Sequence, residues 1–252
     1  MTIVLHEREY AERLLNEPEL GNRPSEALTR IAKLCFANGC SKSETRKILE
    51  KFILRCIPDA NILLWNELID KNVRMASKYP LVDIDYVPVY RKELEICNSL
   101  DGVQMRRLMF TLICLSRYGN MINEMNNNWV NRQEKDILNL ANLEVTVKRR
   151  SLMFGILRDL GLIGFSRRVD NLNVNVKCLS DEESDEPAVY ITDFRNLGYQ
   201  YMRCAGTPSL ECSVCGAVIP KKNNRQLYCR ECAKEVNRLK AASRYHKHYA
   251  SL

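Results

Sequence analysis

The chain has 252 residues, 46% hydrophobic and 27% charged, which is enough apolar material for one large or two modest domains and excludes a disordered or fibrous chain. Its 38 Lys and Arg against 31 Asp and Glu leave a net charge of +7, which permits an acidic partner such as nucleic acid without requiring one. The longest nearly apolar run, Leu108 to Leu115, is far shorter than the roughly 20 residues that cross a bilayer, so no helical membrane span is expected.

By segment the net charge is −1 over residues 1–101, +2 over 102–206 and +6 over 207–252, so nearly all the excess lies in the tail. Met1 to Tyr10 places His6, Glu7, Arg8 and Glu9 after a short apolar start, which does not fit a secretory signal, and a cytoplasmic protein is expected. In that setting the eleven cysteines are expected to remain thiols or to bind metal.

Taken in chain order, Pro24 and Ser25 open a stretch with Leu28, Ile31, Ala32, Leu34 and Cys35 at helical spacing, closed by Gly39. Ser41 with Glu44 three residues later has the form of a capping box, and Thr45 to Cys56 continues helical until Pro58. Ile62 to Met75 reads as a third helix, Leu81 to Val87 as an extended segment, and Arg91 to Leu100 as a return to helix. Asp101 and Gln104 suggest the cap of a strongly apolar helix through Leu108, Met109, Leu112 and Ile113 that ends near Gly119. The Asn-rich stretch 120–131 reads as a loop around Trp129 with a short strand. Helices over about 132–141 and 147–160 lead into alternating runs at 162–168 and 172–179, which read as a hairpin. A hydrophilic insert, 180–187, holds Asp181, Glu182, Glu183, Asp185 and Glu186, and Ala188 to Phe194 looks like another strand. The expected architecture is mainly α with small β, an α+β chain: a helical module over 1–101, a helix-and-hairpin domain with an acidic insert over 102–206, and a small cysteine-rich module over 207–252.

Two details sharpen the middle domain. Thr146 is placed to cap the helix that comes after the turn at Asn142 and Leu143, and Gly161 to end that helix in the left-handed conformation. Leu157, Gly161, Leu162 and Ile163, after three preceding helical segments and before a hairpin, resemble the winged helix-turn-helix superfamily, in which such a Leu and Gly-Leu-Ile commonly close the recognition helix. The resemblance implies a helix for the DNA major groove. A helical wheel gathers Leu152, Met153, Ile156, Leu157 and Leu160 on a core arc and turns Lys148, Ser151 and Arg158 outward, with Arg150 at the margin and Arg149 on the core side. Arg167 and Arg168 add basic charge to the expected wing.

The strongest local signal is Cys212-x-x-Cys215, thirteen residues, then Cys229-x-x-Cys232. Two such turns present four thiolates for one tetrahedral zinc ion, and four sulfurs leave no position for a catalytic water, so the expected zinc is structural. Gly216 supplies the residue free to take positive φ after the first pair. The spacing resembles zinc ribbon and treble-clef modules, with Tyr228 to Ala233 starting a helix that carries the last ligands. Lys221, Lys222 and Arg225 lie between the pairs, and Lys234, Arg238 and Lys240 come after them, a basic decoration that suits nucleic acid.

No Gly-rich phosphate loop, Gly-x-Ser-x-Gly elbow or His-Glu-x-x-His helix occurs, and the three histidines, His6, His246 and His248, lie near the ends, so catalysis is not expected. The assembly of helical module, winged helix and four-cysteine module is similar to uncharacterised phage and prophage proteins, some of them resembling replication or transcription regulators, which implies a bacterial or infected host cell. The first expectation is a non-enzymatic protein that binds duplex DNA. The second is a protein-binding adaptor or inhibitor, of a phage or host assembly, that uses residues 1–101 and the acidic insert.

Overall fold

The computed structural model describes residues 3–166, 173–180 and 186–249, with side chains described as far as 243. Its contacts divide the chain into two units, Met1–Tyr86 and Val87–Leu252.

In the first unit, α1 (Glu7–Asn16) precedes α2 (Pro24–Ala37), whose opening Pro24 has the fixed φ that suits a first helical turn. The expected capping box starts α3 (Lys42–Cys56): the Glu44 amide donates to the Ser41 hydroxyl at 3.2 Å, and the Ser41 amide to the Glu44 carboxylate at 2.7 Å. The third predicted helix is broken in two. Asn61 accepts the Leu63 amide and holds Ile62–Trp65 as a 3₁₀ turn, and α4 (Asn66–Ala76) begins only after it. The apolar stripes of α2, α3 and α4 meet in a core of Leu28, Ile31, Leu49, Phe52, Ile53 and Ile69. Buried beside it, the Glu7 carboxylate is neutralised by Lys33 at 2.8 Å and accepts the Val82 amide at 2.9 Å. The expected extended segment supplies a single bridge between His6 and Asp83, and the regular strand starts later.

The second unit opens with that strand, β1 (Val87–Tyr90), and with α5 (Arg91–Ser99), both packed on α6 (Val103–Ile122). Residues 87–101, assigned to the helical module from the sequence, therefore fall in this unit. The side chains of Leu108, Met109, Phe110, Leu112, Ile113 and Cys114 on α6 are fully buried, which makes this helix the spine of the unit. It starts after Gly102, at φ 80°, rather than on an Asp101 cap, and runs past Gly119. That glycine is an interior packing point: a Cβ there would lie 2.7 Å from the Asn126 amide nitrogen. The chain continues through β2 (Trp129–Val130), α7 (Glu134–Leu140), α8 (Val147–Asp159), β3 (Ile163–Phe165) and β4 (Val174–Val176), and the three strands form an antiparallel sheet in the order β2-β4-β3. Thr146 caps α8 through the Arg149 amide, and Gly161 takes φ 74° behind it, as the sequence indicates.

β5 (Pro187–Ile191) pairs antiparallel with β1, so the strand expected over Ala188 to Phe194 is confirmed but ends earlier. A helix that no sequence pattern announces, α9 (Leu197–Cys204), packs on α6 and against a hairpin of β6 (Ser209–Glu211) and β7 (Val218–Pro220), and α10 (Arg230–Tyr249) closes the unit. Among the described residues the whole is mainly helical with three small antiparallel sheets, an α+β fold, and no helix is long and apolar enough to cross a membrane.

Candidate metal centre and nucleic-acid interface

The first cysteine pair sits at the tip of the β6–β7 hairpin. The Cys212 amide donates to the Ala217 carbonyl at 3.0 Å and the Gly216 amide to the Cys212 carbonyl at 2.8 Å, a tight turn that Gly216 permits at φ 72°. The second pair starts a helix: Cys229 precedes α10 and Cys232 lies in its first turn. The Ser213 amide and hydroxyl both donate to the Leu227 carbonyl, at 2.9 and 3.1 Å, and draw the second segment against the first.

This brings the four sulfurs of Cys212, Cys215, Cys229 and Cys232 within 4.8 Å of one another, with Cys215 Sγ and Cys229 Sγ 3.9 Å apart. Metal–sulfur bonds of about 2.3 Å in a tetrahedron set sulfur–sulfur edges near 3.8 Å, so the cluster can hold one ion, and four soft sulfurs are the donor set zinc takes in closed sites. Backbone amides already serve the sulfurs as they serve thiolates: Cys229 N–H donates to Cys212 Sγ at 3.2 Å and Cys232 N–H to Cys229 Sγ at 3.4 Å. Burial raises the Cys212 thiol, but amides of Cys229, Cys215 and Val214 and the neighbouring Cys215 thiol outweigh it and bring the group down to about 6. The Cys232 thiol is held well above its ordinary range, first by its hydrogen bond with Cys229, and burial raises Cys215. Without a cation, four adjacent thiols cannot all ionise; a divalent ion removes that conflict.

The module is fastened to the rest of its unit by two asparagines in the left-handed conformation, Asn142 at φ 54° in the turn between α7 and α8 and Asn196 at φ 56° before α9. Asn142 Nδ2 donates to Asn196 Oδ1 at 2.8 Å, and Asn196 Nδ2 donates to the Val218 carbonyl in β7 at 3.1 Å. Alongside, Arg195 donates to the Cys215 carbonyl at 2.7 Å while Asp193 orients its guanidinium. Arg107 of α6 donates to the Ala141 and Asn142 carbonyls and lies over the Tyr199 ring. The α7–α8 turn and the cysteine hairpin are thus joined by a continuous hydrogen-bonded chain. None of these residues was a candidate in the sequence; the isolated Asn at each turn was the only signal.

Helix α8 is rotated from the orientation expected of it. The structure buries Met153, Phe154 and Leu157, and leaves Val147, Leu152, Ile156 and Leu160 exposed at 68%, 51%, 38% and 57%. Phe154, the largest apolar side chain on the helix, pulls the core face towards itself and turns Leu152, Ile156 and Leu160 out of the core arc assigned to them. Lys148 and Ser151 are exposed as expected, and Arg149 is exposed rather than core-facing. Arg150 is half-buried and ion-paired to Glu134 at 2.7 Å, and Arg158 is exposed and paired to Asp159 at 2.8 Å. Arg167 and Arg168 lie outside the described residues, as do Asp181, Glu182, Glu183 and Asp185 of the acidic insert; Glu186 lies 3.6 Å from Arg91.

Around the cysteine cluster, Lys221, Lys222 and Arg225 are exposed, and no carboxylate among the described residues lies within ion-pairing distance of them. Lys234 and Arg238 on α10 instead pair with Glu231 and Glu235 one turn earlier. Comparison with protein-family models, with curated proteins and with solved structures gives no match to this chain.

Proposed function

We propose that the chain is a non-enzymatic, zinc-containing protein that binds duplex DNA, with one structural zinc ion on Cys212, Cys215, Cys229 and Cys232. The observation that carries this reading is the concentration of uncompensated cations, Lys221, Lys222 and Arg225, on the loop between the two cysteine pairs. Cations already paired with carboxylates gain little from a phosphate, whereas free ones release counterions and gain affinity when they meet it. A metal at both ends of that loop fixes its backbone, so the three charges are presented to DNA without a large ordering cost.

The element order α6-β2-α7-α8-β3-β4, with its β2-β4-β3 sheet, supports a winged-helix reading of the middle of the unit, and the hairpin with a ligand-bearing helix after it supports a treble-clef reading of the metal module. In this assignment the metal module and the wing, with Arg167 and Arg168, hold the phosphate backbone. Lys148 and Ser151 lie at its edge, because the apolar stripe of Leu152 and Ile156 is unsuited to a polar groove. The role we infer is that of a replication or transcription regulator, which some of the phage and prophage proteins that the sequence resembles are themselves similar to.

The test is a titration of the zinc-loaded protein against random duplex and single-stranded DNA at two salt concentrations. Wild-type binding should weaken steeply with salt, and the triple variant K221E/K222E/R225E should lose affinity and flatten the log–log salt slope by about three. Loss of binding in Lys148→Glu with no effect of the triple variant would return the contact to α8. Absence of DNA binding at low salt, with zinc intact, would reject the reading and favour the protein-binding adaptor.

A further inference from the structure

We propose that the outward face of α8 is a self-pairing surface on which the α8 of a second copy of this chain packs antiparallel. The proposal stands independently of the DNA-binding reading. Its first support is the rotation of the helix. Leu152 and Ile156, one turn apart, form an exposed apolar stripe continued by Leu160, on a helix whose opposite face is already committed to the core through Met153, Phe154 and Leu157. Removing such a stripe from water is favourable only against a surface of matching shape, and a second helix with the same spacing provides one.

What selects a copy of the same chain is the charge order along the face. In an antiparallel pair related by a two-fold axis between positions 152 and 156, Leu152 of one copy meets Ile156 of the other, and the same axis places Arg149 opposite Asp159. Both are exposed; among the described residues Arg149 has no carboxylate partner, and Asp159 is engaged only by its sequence neighbour Arg158. The pairing therefore closes two apolar contacts and two opposite-charge contacts at once. A parallel arrangement would put Arg149 on Arg149 and Asp159 on Asp159, which like-charge repulsion disfavours.

Gly155 gives a further indication. It lies mid-helix, costs about 1 kcal/mol of helix propensity relative to alanine, and has open space where a Cβ would stand, so nothing among the described residues requires a glycine. A bare backbone at the border of the stripe allows a second helix to approach closely. A contact of this size buries less than the roughly 1,600 Å² of a standard stable interface, which points to a concentration-dependent dimer rather than a permanent one.

Sedimentation equilibrium of the zinc-loaded full chain across a hundredfold concentration range tests this directly. The wild type should shift from monomer to dimer, and L152E/I156E should stay monomeric with unchanged melting temperature and zinc content, because both side chains are exposed in the monomer. Arg149→Asp and Asp159→Arg should each weaken dimerisation about tenfold or more, and the double exchange should restore it, since the swapped charges again face each other. A protein monomeric at every concentration would overturn the proposal, and so would a dimer indifferent to L152E/I156E. A wild type that is monomeric at every concentration, with DNA binding lost in L152E/I156E, would assign the face to DNA instead.

Discussion

Asn142 and Asn196 show how much a single polar side chain decides in this fold. Each occupies a left-handed backbone position that costs other non-glycine residues roughly 1 kcal/mol or more, and each uses its amide to bond a segment far away in sequence. Asn196→Ala removes the link to Asn142 and to the Val218 carbonyl while keeping the strained backbone, and should cost about 1–3 kcal/mol in urea denaturation. Gly198 next to it is a steric prediction. A Cβ at that position would stand directly on the Ala141 carbonyl, so Gly198→Ala should destabilise by at least as much as core overpacking generally does, about 1–3 kcal/mol. An unchanged denaturation midpoint in either variant would show that the α7–α8 turn and α9 are not held together as described. At this scale the cysteine centre was legible, because each pair is a local turn whose spacing is its geometry. The asparagine relay was not, because its partners are 54 residues apart and no local pattern announces a side-chain bond.

At the scale of elements, the sequence reports existence better than orientation. The capping box of α3, the Thr146 cap of α8 and the Gly161 exit were readable because they are hydrogen-bond chemistry within a few residues. The rotation of α8 was not readable, since its apolar residues span most of the helix circumference and only tertiary packing, against β3 among other neighbours, decides which of them are covered. The short helix α9 escaped for a related reason: its eight residues bury only Leu197, Gly198 and Tyr201, too few to establish a period. Two leucines five residues apart on α8 should respond in opposite ways. Leu157→Ala, from a fully buried site, should cost about 2–5 kcal/mol, whereas Leu152→Ala, from an exposed one, should stay within about 0.5 kcal/mol for the monomer. Equal costs in chemical denaturation of dilute protein would mean that the helix faces its core as the wheel alone suggests. The same logic applies to the joint of α5 with α6, where Glu93 is wholly buried against Arg117 at 2.7 Å and accepts the amides of Tyr90 and Ser180. Glu93→Ala removes the carboxylate that neutralises the buried Arg117 guanidinium, and a loss of about 3–5 kcal/mol is expected in the same assay.

At the scale of the whole molecule, the contribution of the proposed zinc should be confined to one unit. Residues 1–86 enclose a core of their own around Leu28, Phe52, Ile53 and Ile69, and none of the four cysteine ligands belongs to that unit. The cysteine module has little of this kind: its hairpin strands have three residues each, and none of the described side chains of α10 is buried. A helix with few packed side chains is marginal in water, so α10 should rely on the proposed ion pinning its start through Cys229 and Cys232. Removing zinc with a chelator, or replacing Cys212 and Cys229 with Ser, should therefore abolish a stoichiometry of one zinc per chain and lower the helical circular dichroism by about the share of α10, 20 residues. It should also shift only the calorimetric transition of the second unit. The part of that unit built on α6 should persist, because its buried residues do not depend on the metal, but its midpoint should fall through the lost support at Asn196 and Arg195. Full ellipticity after chelation would show that α10 stands without the ion, and an equal shift of both transitions would show that the metal acts on the entire chain.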